Sequence, residues 1–244
     1  RWVSFTSAPW VSFQSALTLG IYGLFFSTLL AGLVTLVLIF VFSHRLIQRS
    51  LLMLILTGMI ISGFFSALVS LLQYLSDTED KLPSIVFWLM GSFATSNPQK
   101  LLMLVVPVTL CSVVLLGLRW RMNLLSLGER EARALGVNIR PLRWLVIFCS
   151  GMLVASQVAV SGSIGWVGLI IPHLSRMLVG ANHQQLLPCT LLMGALYLII
   201  VDTLARTLST SEIPVSIITS LLGAPLFAVL VYQLRRGQKE QFSE

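Results

Sequence analysis

Side chains that most often do chemistry in proteins are sparse in this sequence and poorly placed for it. The histidines, His44, His173 and His183, stand far apart, and no Cys, His or Asp residues have the spacing of a metal site. The three cysteines lie in or beside apolar stretches and include no C-x-x-C pair. Neither an H-E-x-x-H motif nor a nucleophile–base arrangement occurs. We therefore predict no catalytic residue and no metal site, and we interpret His173 and the cysteines as structural.

Asp202 and Arg206 stand four residues apart near the end of an apolar stretch. This spacing lets two side chains on one helix face form a salt bridge. Charges within a membrane are costly and are usually paired, so a structural salt bridge is one interpretation. A cation at the membrane edge is also suited to guide an acidic partner. Glu212, in the turn that follows, is placed to orient Arg206.

A short helix is predicted in the longest polar loop, residues 119–143. Ser126 and Glu129 have the S-x-x-E spacing of a capping box, in which each residue satisfies the other's backbone amide. Gly136 is a natural left-handed stop, and Pro141 is expected to prevent the helix from resuming. The sequence thus predicts a rigid, exposed helix over 126–136, which serves either as a solvated connector or as a docking element for a partner.

The elements that must position these residues are membrane-spanning helices. Of the 244 residues, 56% are hydrophobic and 10% are charged, whereas soluble domains are about 45–50% apolar and about 25% charged. This composition excludes a soluble enzyme and a disulfide scaffold, and the net charge of +7 is too dispersed for a nucleic-acid binder. A span needs roughly 20 apolar residues. The seven predicted spans are 16–42, 51–75, 101–118, 143–160, 164–180, 188–208 and 214–234.

The basic residues predict the orientation of these spans. Strict alternation of the seven spans places twelve of the sixteen Lys and Arg residues on one side and four on the other. The four are Arg1, Lys81, Lys100 and Arg206. Because basic residues accumulate in cytoplasmic loops, the side with twelve is cytoplasmic and the C-terminus lies inside. Arg1 is then external with no signal sequence, so we expect an odd number of spans upstream of this chain.

Three segments carry a resemblance to a known family. They are SLGEREARALGV (126–137), VAVSGSIGWVGLIIPHLSRMLVGANHQQLLP (158–188) and VDTLART with SEIPVSIITSLLGAPLF (201–227). Their order and spacing resemble the permeases of ABC importers that take up vitamin B12, ferric siderophores and haem. Trp166 stands where the family usually has Phe, Asn182 where it has Asp, and Ser216 where it has Gly.

The resemblance implies an all-α polytopic membrane bundle, with about seven of ten spans present and 1–244 forming one transmembrane permease domain. It implies a second copy of the permease, two cytoplasmic ATP-binding subunits and a periplasmic substrate-binding protein as partners, besides membrane lipid and without nucleic acid. No G-x-x-x-x-G-K-[ST] motif occurs. ATP and Mg are therefore expected in the partner ATPase, and this chain is expected to be a transport subunit rather than an enzyme.

The resemblance also implies roles for particular residues. Arg206 and Glu212 would dock the binding protein. Independently of the resemblance, Pro225 lacks an amide hydrogen, so the sequence predicts that Gly223 with Pro225 kinks the last span. The predicted ATPase-coupling residues are Ser126, Leu127, Gly128, Glu129, Ala132, Leu135 and Gly136. The predicted translocation path and gate residues are Gln48, Ser50, Thr57, Ser62, Ser66, Thr219 and Ser220. Small residues such as these also promote helix packing, which is the equally open alternative for the path set.

The function predicted on this basis is import of a metal chelate, such as an iron-siderophore, haem or cobalamin, across the bacterial inner membrane. One alternative keeps the architecture and imports an oxyanion such as molybdate or tungstate. A more distant alternative is a secondary transporter or channel, which would require buried charges along several spans for ion coupling. Asp202 alone has that character, and it has a partner four residues on.

Overall fold

The computed structural model describes residues 20–46, 51–76, 81–94, 96–208 and 213–241. Within these ranges the chain forms nine α-helices and no strand, as expected for an all-α membrane protein. The helices are α1 (Gly20–Leu46), α2 (Leu51–Tyr74), α3 (Lys81–Leu89), α4 (Pro98–Ser126), α5 (Glu129–Ala134), α6 (Ile139–Ser161), α7 (Val167–Val179), α8 (His183–Thr207) and α9 (Val215–Gln241).

Each of the seven predicted spans coincides with one helix, and the two remaining helices, α3 and α5, are short. Among the residues that the structure describes, four helices are long and apolar enough to cross a bilayer, namely α2, α4, α6 and α8. Apolar stretches of 10–17 residues lie in α1, α7 and α9. Many large apolar side chains on these helices are exposed, as lipid-facing and partner-facing surfaces of a membrane protein would be.

Two boundaries differ from the sequence-based expectation. Helix α4 continues to Ser126, although the predicted span stops at residue 118, because its polar last turns extend the helix beyond the apolar segment. Helix α7 has 13 residues, which at 1.5 Å each is about 20 Å and falls short of the roughly 30 Å hydrocarbon core. Its predicted span began at residue 164, whereas residues 162–165 are not helical.

The chain divides into two compact units. The first contains α1, α2 and the first part of α4, together with residues Leu145–Val160 of α6. Within this unit α1 packs against α2. Gly32 of α1 also approaches α6 closely, since a Cβ at Gly32 would lie 2.7 Å from the Cβ of Ala155. The small side chains at this crossing allow the two backbones to come together.

The second unit contains Phe87–Thr95, Ser112–Trp144 and the chain from Ser161 onward. Within it α7, α8 and α9 pack against one another. Val201 and Ala205 of α8 meet Val215 and Ile218 of α9 in a buried cluster, with Phe93 and Tyr197 at its edge. These contacts bury the face of α8 that carries Val201 and Ala205 and leave its opposite face accessible.

Irregular backbone joins three parts of the second unit. The amide of Ser92 donates to the carbonyl of Ser161 at 2.9 Å, and the amide of Val215 donates to the carbonyl of Gly91 at 3.0 Å. The hydroxyl of Ser163 donates to the carbonyl of Leu89 at 2.7 Å. Gly91 and Gly162 both have positive φ, and neither has space for a Cβ, because the carbonyl oxygen of Ser163 would block one at Gly91 and that of Trp88 would block one at Gly162. The junction satisfies backbone groups that no helix satisfies.

Candidate functional site

The short helix predicted within residues 126–136 is present, although it begins later than expected, and its coupling role stays a prediction. It comprises α5, Glu129–Ala134, and its N-cap is Gly128 with φ 121° and ψ 157°. The predicted capping box is wrong, because Ser126 is the last residue of α4 and its hydroxyl donates to the carbonyl of Asn123 at 2.6 Å. A serine committed to the preceding helix cannot adopt the extended backbone that an N-cap requires.

The end of the coupling helix matches the prediction at Gly136. This glycine has φ 79°, the amide of Val137 donates to the carbonyl of Ala132, and the amide of Gly136 donates to the carbonyl of Arg133, both at 3.0 Å. These two bonds are the Schellman pattern. The expectation that Pro141 prevents a helix from resuming is wrong. Helix α6 begins at Ile139 and places Pro141 in its first turn, where a backbone N–H would have no helical acceptor.

Burial gives the coupling segment an inner and an outer side. Ala132 is fully buried, whereas Leu127 and Leu135 are 61% and 60% exposed. Arg130 and Arg133 are exposed as well. The segment is therefore held to its own unit by a small residue while it presents two large apolar side chains outward. Two exposed leucines on a polar loop are suited to contact another protein surface.

A polar cluster beside this segment was not anticipated from the sequence. Asn123, in the last turns of α4, contacts Asn182 and His183 at the start of α8. The sequence shows no functional neighbour for His183, whereas the structure brings it against Asn123. One local signal was available, since Asn182 precedes α8 as an N-cap and accepts the amide of Gln184 at 3.0 Å. No local sequence signal indicated that Asn123, sixty positions before His183, would be its partner.

The predicted salt bridge near the opposite end of α8 is present. Arg206 Nε lies 3.0 Å from Asp202 Oδ2, with side-chain exposures of 45% and 31%. Because Val201 and Ala205 occupy the buried face, Asp202 and Arg206 lie on the accessible face of the same helix. Glu212 lies outside the described residues. Docking of a partner at Arg206 stays a prediction.

The predicted path residues fall into two groups, one in each compact unit. On α2, Thr57 is buried while Ser62 and Ser66 are exposed. On α9, Thr219 is fully buried and its hydroxyl donates to the carbonyl of Ser216 at 3.1 Å, and Ser220 is half-buried. Gln48 and Ser50, the predicted gate residues, lie outside the described residues.

The predicted kink residues lie where α9 meets α7. A Cβ at Gly223 would lie 2.7 Å from Trp166 Cβ and 2.7 Å from Ile170 Cδ1, so this glycine permits close packing. Trp166 has φ 67°, which is uncommon for a residue other than glycine. Its ring meets that of Phe227 edge-on, with the ring centroids 6.3 Å apart. Pro225 lies inside α9, which is assigned as one continuous helix.

Comparison with known proteins gives a family match over nearly the entire chain. Residues 4–233 match the model of the FecCD transport family. The chain is 73% identical over 217 residues to the molybdate import system permease MolB of Haemophilus influenzae, covering 89% of this chain and 64% of that protein. It is 43% identical over 186 residues to the hemin transport system permease HmuU of Yersinia pestis, covering 75% of this chain and 54% of that protein.

Among solved structures, one described as the inward-facing conformation of an ABC transporter of the metal-chelate type matches with a TM-score of 0.84. The sequence identity is 69%, and the match covers 91% of this chain and 71% of that chain. The present chain thus spans less than two thirds of the length of the two permeases named above.

Proposed function

The chain belongs to the FecCD transport family, and on that premise we propose that it is the membrane permease of an ATP-binding cassette importer in the bacterial inner membrane. The observation that carries this proposal is the family match over residues 4–233, which includes the coupling segment and both ends of α8. The permease works as a pair with a second copy. Two cytoplasmic subunits bind and hydrolyse ATP with Mg, and a periplasmic protein delivers the substrate.

The coupling segment supplies the contact with the ATPase. Ala132 and the turn closed by Gly136 hold α5 to its unit, while Leu127 and Leu135 enter a groove of the ATPase. ATP binding and hydrolysis change the separation of the two ATPase subunits. A short helix closed by a Schellman turn moves as one body, so it passes that displacement to the spans.

A pair of leucine variants tests this contact. We expect Leu135→Asn to reduce co-purification of the ATPase subunits at least tenfold and to uncouple ATP hydrolysis from uptake. The matched control is Leu208→Asn, which should leave association of the ATPase unchanged. Leu208 has a similar exposure of 64% but is the C-cap of α8, at the end of that helix away from the coupling segment. Normal association of the ATPase with Leu135→Asn would contradict the docking role of this segment.

We further propose an oxyanion of the molybdate type as the substrate. Its support is the 73% identity to a permease named for molybdate import. A metal chelate is the second candidate, supported by the 69% identical structure described as metal-chelate type and by the hemin permease at 43%. In both cases the path would run along the exposed Ser62 and Ser66 of α2, with Thr57 nearby on the same helix.

The two substrates are distinguished by uptake in proteoliposomes that contain the complete importer. We expect ATP-dependent, saturable accumulation of molybdate, measured as elemental molybdenum, and no accumulation of a ferric siderophore chelate. Uptake of the iron chelate without molybdenum would overturn the oxyanion assignment and leave the importer assignment intact. Absence of ATP-dependent uptake with either substrate would count against the importer itself.

Arg206 offers a second contact, with the binding protein outside the membrane. An exposed i,i+4 ion pair adds only about 0.3–0.5 kcal/mol to stability, so its loss does not explain a functional defect by unfolding. We expect Arg206→Glu to weaken capture of the loaded binding protein, most strongly at low salt, and Arg206→Lys to retain most of it. An affinity of Arg206→Glu equal to that of the native permease would remove this assignment.

A further inference from the structure

The polar cluster formed by Asn123, Asn182 and His183 has no part in the function proposed above. Asn123 Oδ1 accepts the backbone amide of His183 at 2.7 Å and lies 2.8 Å from His183 Nδ1. Asn123 Nδ2 donates to Asn182 Oδ1 at 2.7 Å. One turn earlier on α4, Arg119 Nη1 reaches the carbonyl of Gln184 at 3.5 Å. We call the first three residues the amide clamp.

The chemistry of the donors fixes every bond in the amide clamp. A backbone N–H only donates, so the Asn123 atom that faces the His183 amide must be the oxygen. The same oxygen requires a proton on His183 Nδ1. The amide of Gln184 fixes the oxygen of Asn182 in the same way, which leaves Asn123 Nδ2 as its second donor. The clamp is therefore one mutually consistent set of bonds.

Its position connects the coupling segment to α8. Asn123 lies in the last turns of α4, and its carbonyl accepts the hydroxyl of Ser126, two residues before Gly128. Asn182 is the N-cap of α8. The coupling helix thus leaves α4 immediately after the clamp. These bonds tie the base of the coupling helix to the first turn of α8.

Helix α8 is able to carry that displacement across the membrane. Its 25 residues correspond to about 37 Å of helix. It packs on α7 and α9, and near its far end it bears Asp202 and Arg206. A single element therefore has the clamp at one end and the proposed docking arginine near the other.

We propose that Asn123 is a positioning residue that couples the ATPase contact to the binding-protein contact through α8. The inference rests on the proposed function. Because coupling between two binding sites is reciprocal, docking of the loaded binding protein outside moves α8 and raises ATP hydrolysis inside, while ATP binding alters the outer docking site. A clamp that served stability alone would not affect this exchange.

The test uses the complete importer in lipid nanodiscs, with the binding protein loaded with molybdate. Three quantities are measured: ATPase association, basal hydrolysis and the stimulation of hydrolysis by the loaded binding protein. Asn123→Leu keeps the shape of the side chain and removes its donor and acceptor. We expect this variant to keep ATPase association and basal hydrolysis, while the stimulation of hydrolysis by the loaded binding protein falls at least fivefold.

Asn182→Asp is the matched control, because it keeps the oxygen that accepts both bonds at this position, and we expect near-native stimulation. Asn182→Ala removes that oxygen and provides a second route if Asn123→Leu does not fold. The double variant should lose less than the product of the two single losses, since both act on one set of bonds.

Native stimulation in Asn123→Leu, or in Asn182→Ala where the first variant does not fold, would overturn the proposal. So would an equal fall of basal and stimulated hydrolysis, which would identify a purely structural role. If the native chain neither associates with the ATPase subunits nor supports hydrolysis, the proposed function fails and the clamp's role fails with it. That outcome differs from a normal native complex with insensitive variants.

Discussion

Gly223 lies buried where α9 packs on α7, and the absence of a side chain there allows the two helices to touch. A Cβ would lie 2.7 Å from Trp166 Cβ, close to a backbone that already has φ 67° and therefore has little freedom to shift. This packing role could not be derived from the sequence, because a Gly-Ala-Pro run in a helix is equally consistent with a kink. Only the position of α7 distinguishes the two.

Gly223→Ala is expected to destabilise the permease by about 1–3 kcal/mol, the usual cost of overpacking, which corresponds to a lowering of the Tm by roughly 2–12 °C. Gly58→Ala is the control, because Gly58 is a helical glycine of α2 with nothing within 4 Å of the added methyl group. Alanine is the better helix former there, so the Tm should stay level or rise. Thermal unfolding in detergent measures both, and equal Tm values would contradict the close packing.

At the scale of helices, hydrophobic length was a dependable guide and polar helix ends were not. The seven apolar runs predicted seven helices, because a long apolar segment in lipid must satisfy its own backbone bonds. The capping box predicted from S-x-x-E at Ser126 is wrong, because α4 continues through a polar turn to Ser126 itself. At such a turn the local sequence does not decide alone whether the helix ends. Gly136 was predicted correctly because a left-handed helix end strongly favours glycine.

The backbone of Gly128 determines how α5, the proposed coupling helix, leaves α4. Its φ of 121° and ψ of 157° lie in a region that residues other than glycine enter only at a cost of about 1–3 kcal/mol. We expect Gly128→Ala to shift α5 from its native position and to weaken binding of the ATPase subunits by roughly 5- to 150-fold, the equivalent of that cost. Gly117→Ala, within α4 and with open space around it, should leave binding unchanged. A quantitative pull-down compares the two variants, and equal affinities would rule out this role of Gly128.

At the scale of the whole molecule, the proposed function requires the coupling segment and Arg206 to face opposite sides of the membrane. The structure places them near opposite ends of α8 along the chain of contacts through Asn123 and Asn182. The distribution of basic residues predicts that the side of Asn123 is cytoplasmic. The orientation stays a prediction from the sequence. The physical link between the two ends required the fold, because hydrogen bonds across sixty positions leave no periodic pattern in a sequence.

This two-sided arrangement is measurable by cysteine labelling in oriented membranes. Leu135→Cys and Leu208→Cys place thiols at exposed positions, whereas Cys111 and Cys149 are buried and Cys189 is partly buried. A membrane-impermeant maleimide should label Leu135→Cys only in inside-out vesicles and Leu208→Cys only in right-side-out spheroplasts, with the unmodified chain giving the background. Labelling of both positions from one side would show that they face the same aqueous compartment. Helix α8 could then not connect a cytoplasmic ATPase to a protein docked outside the membrane.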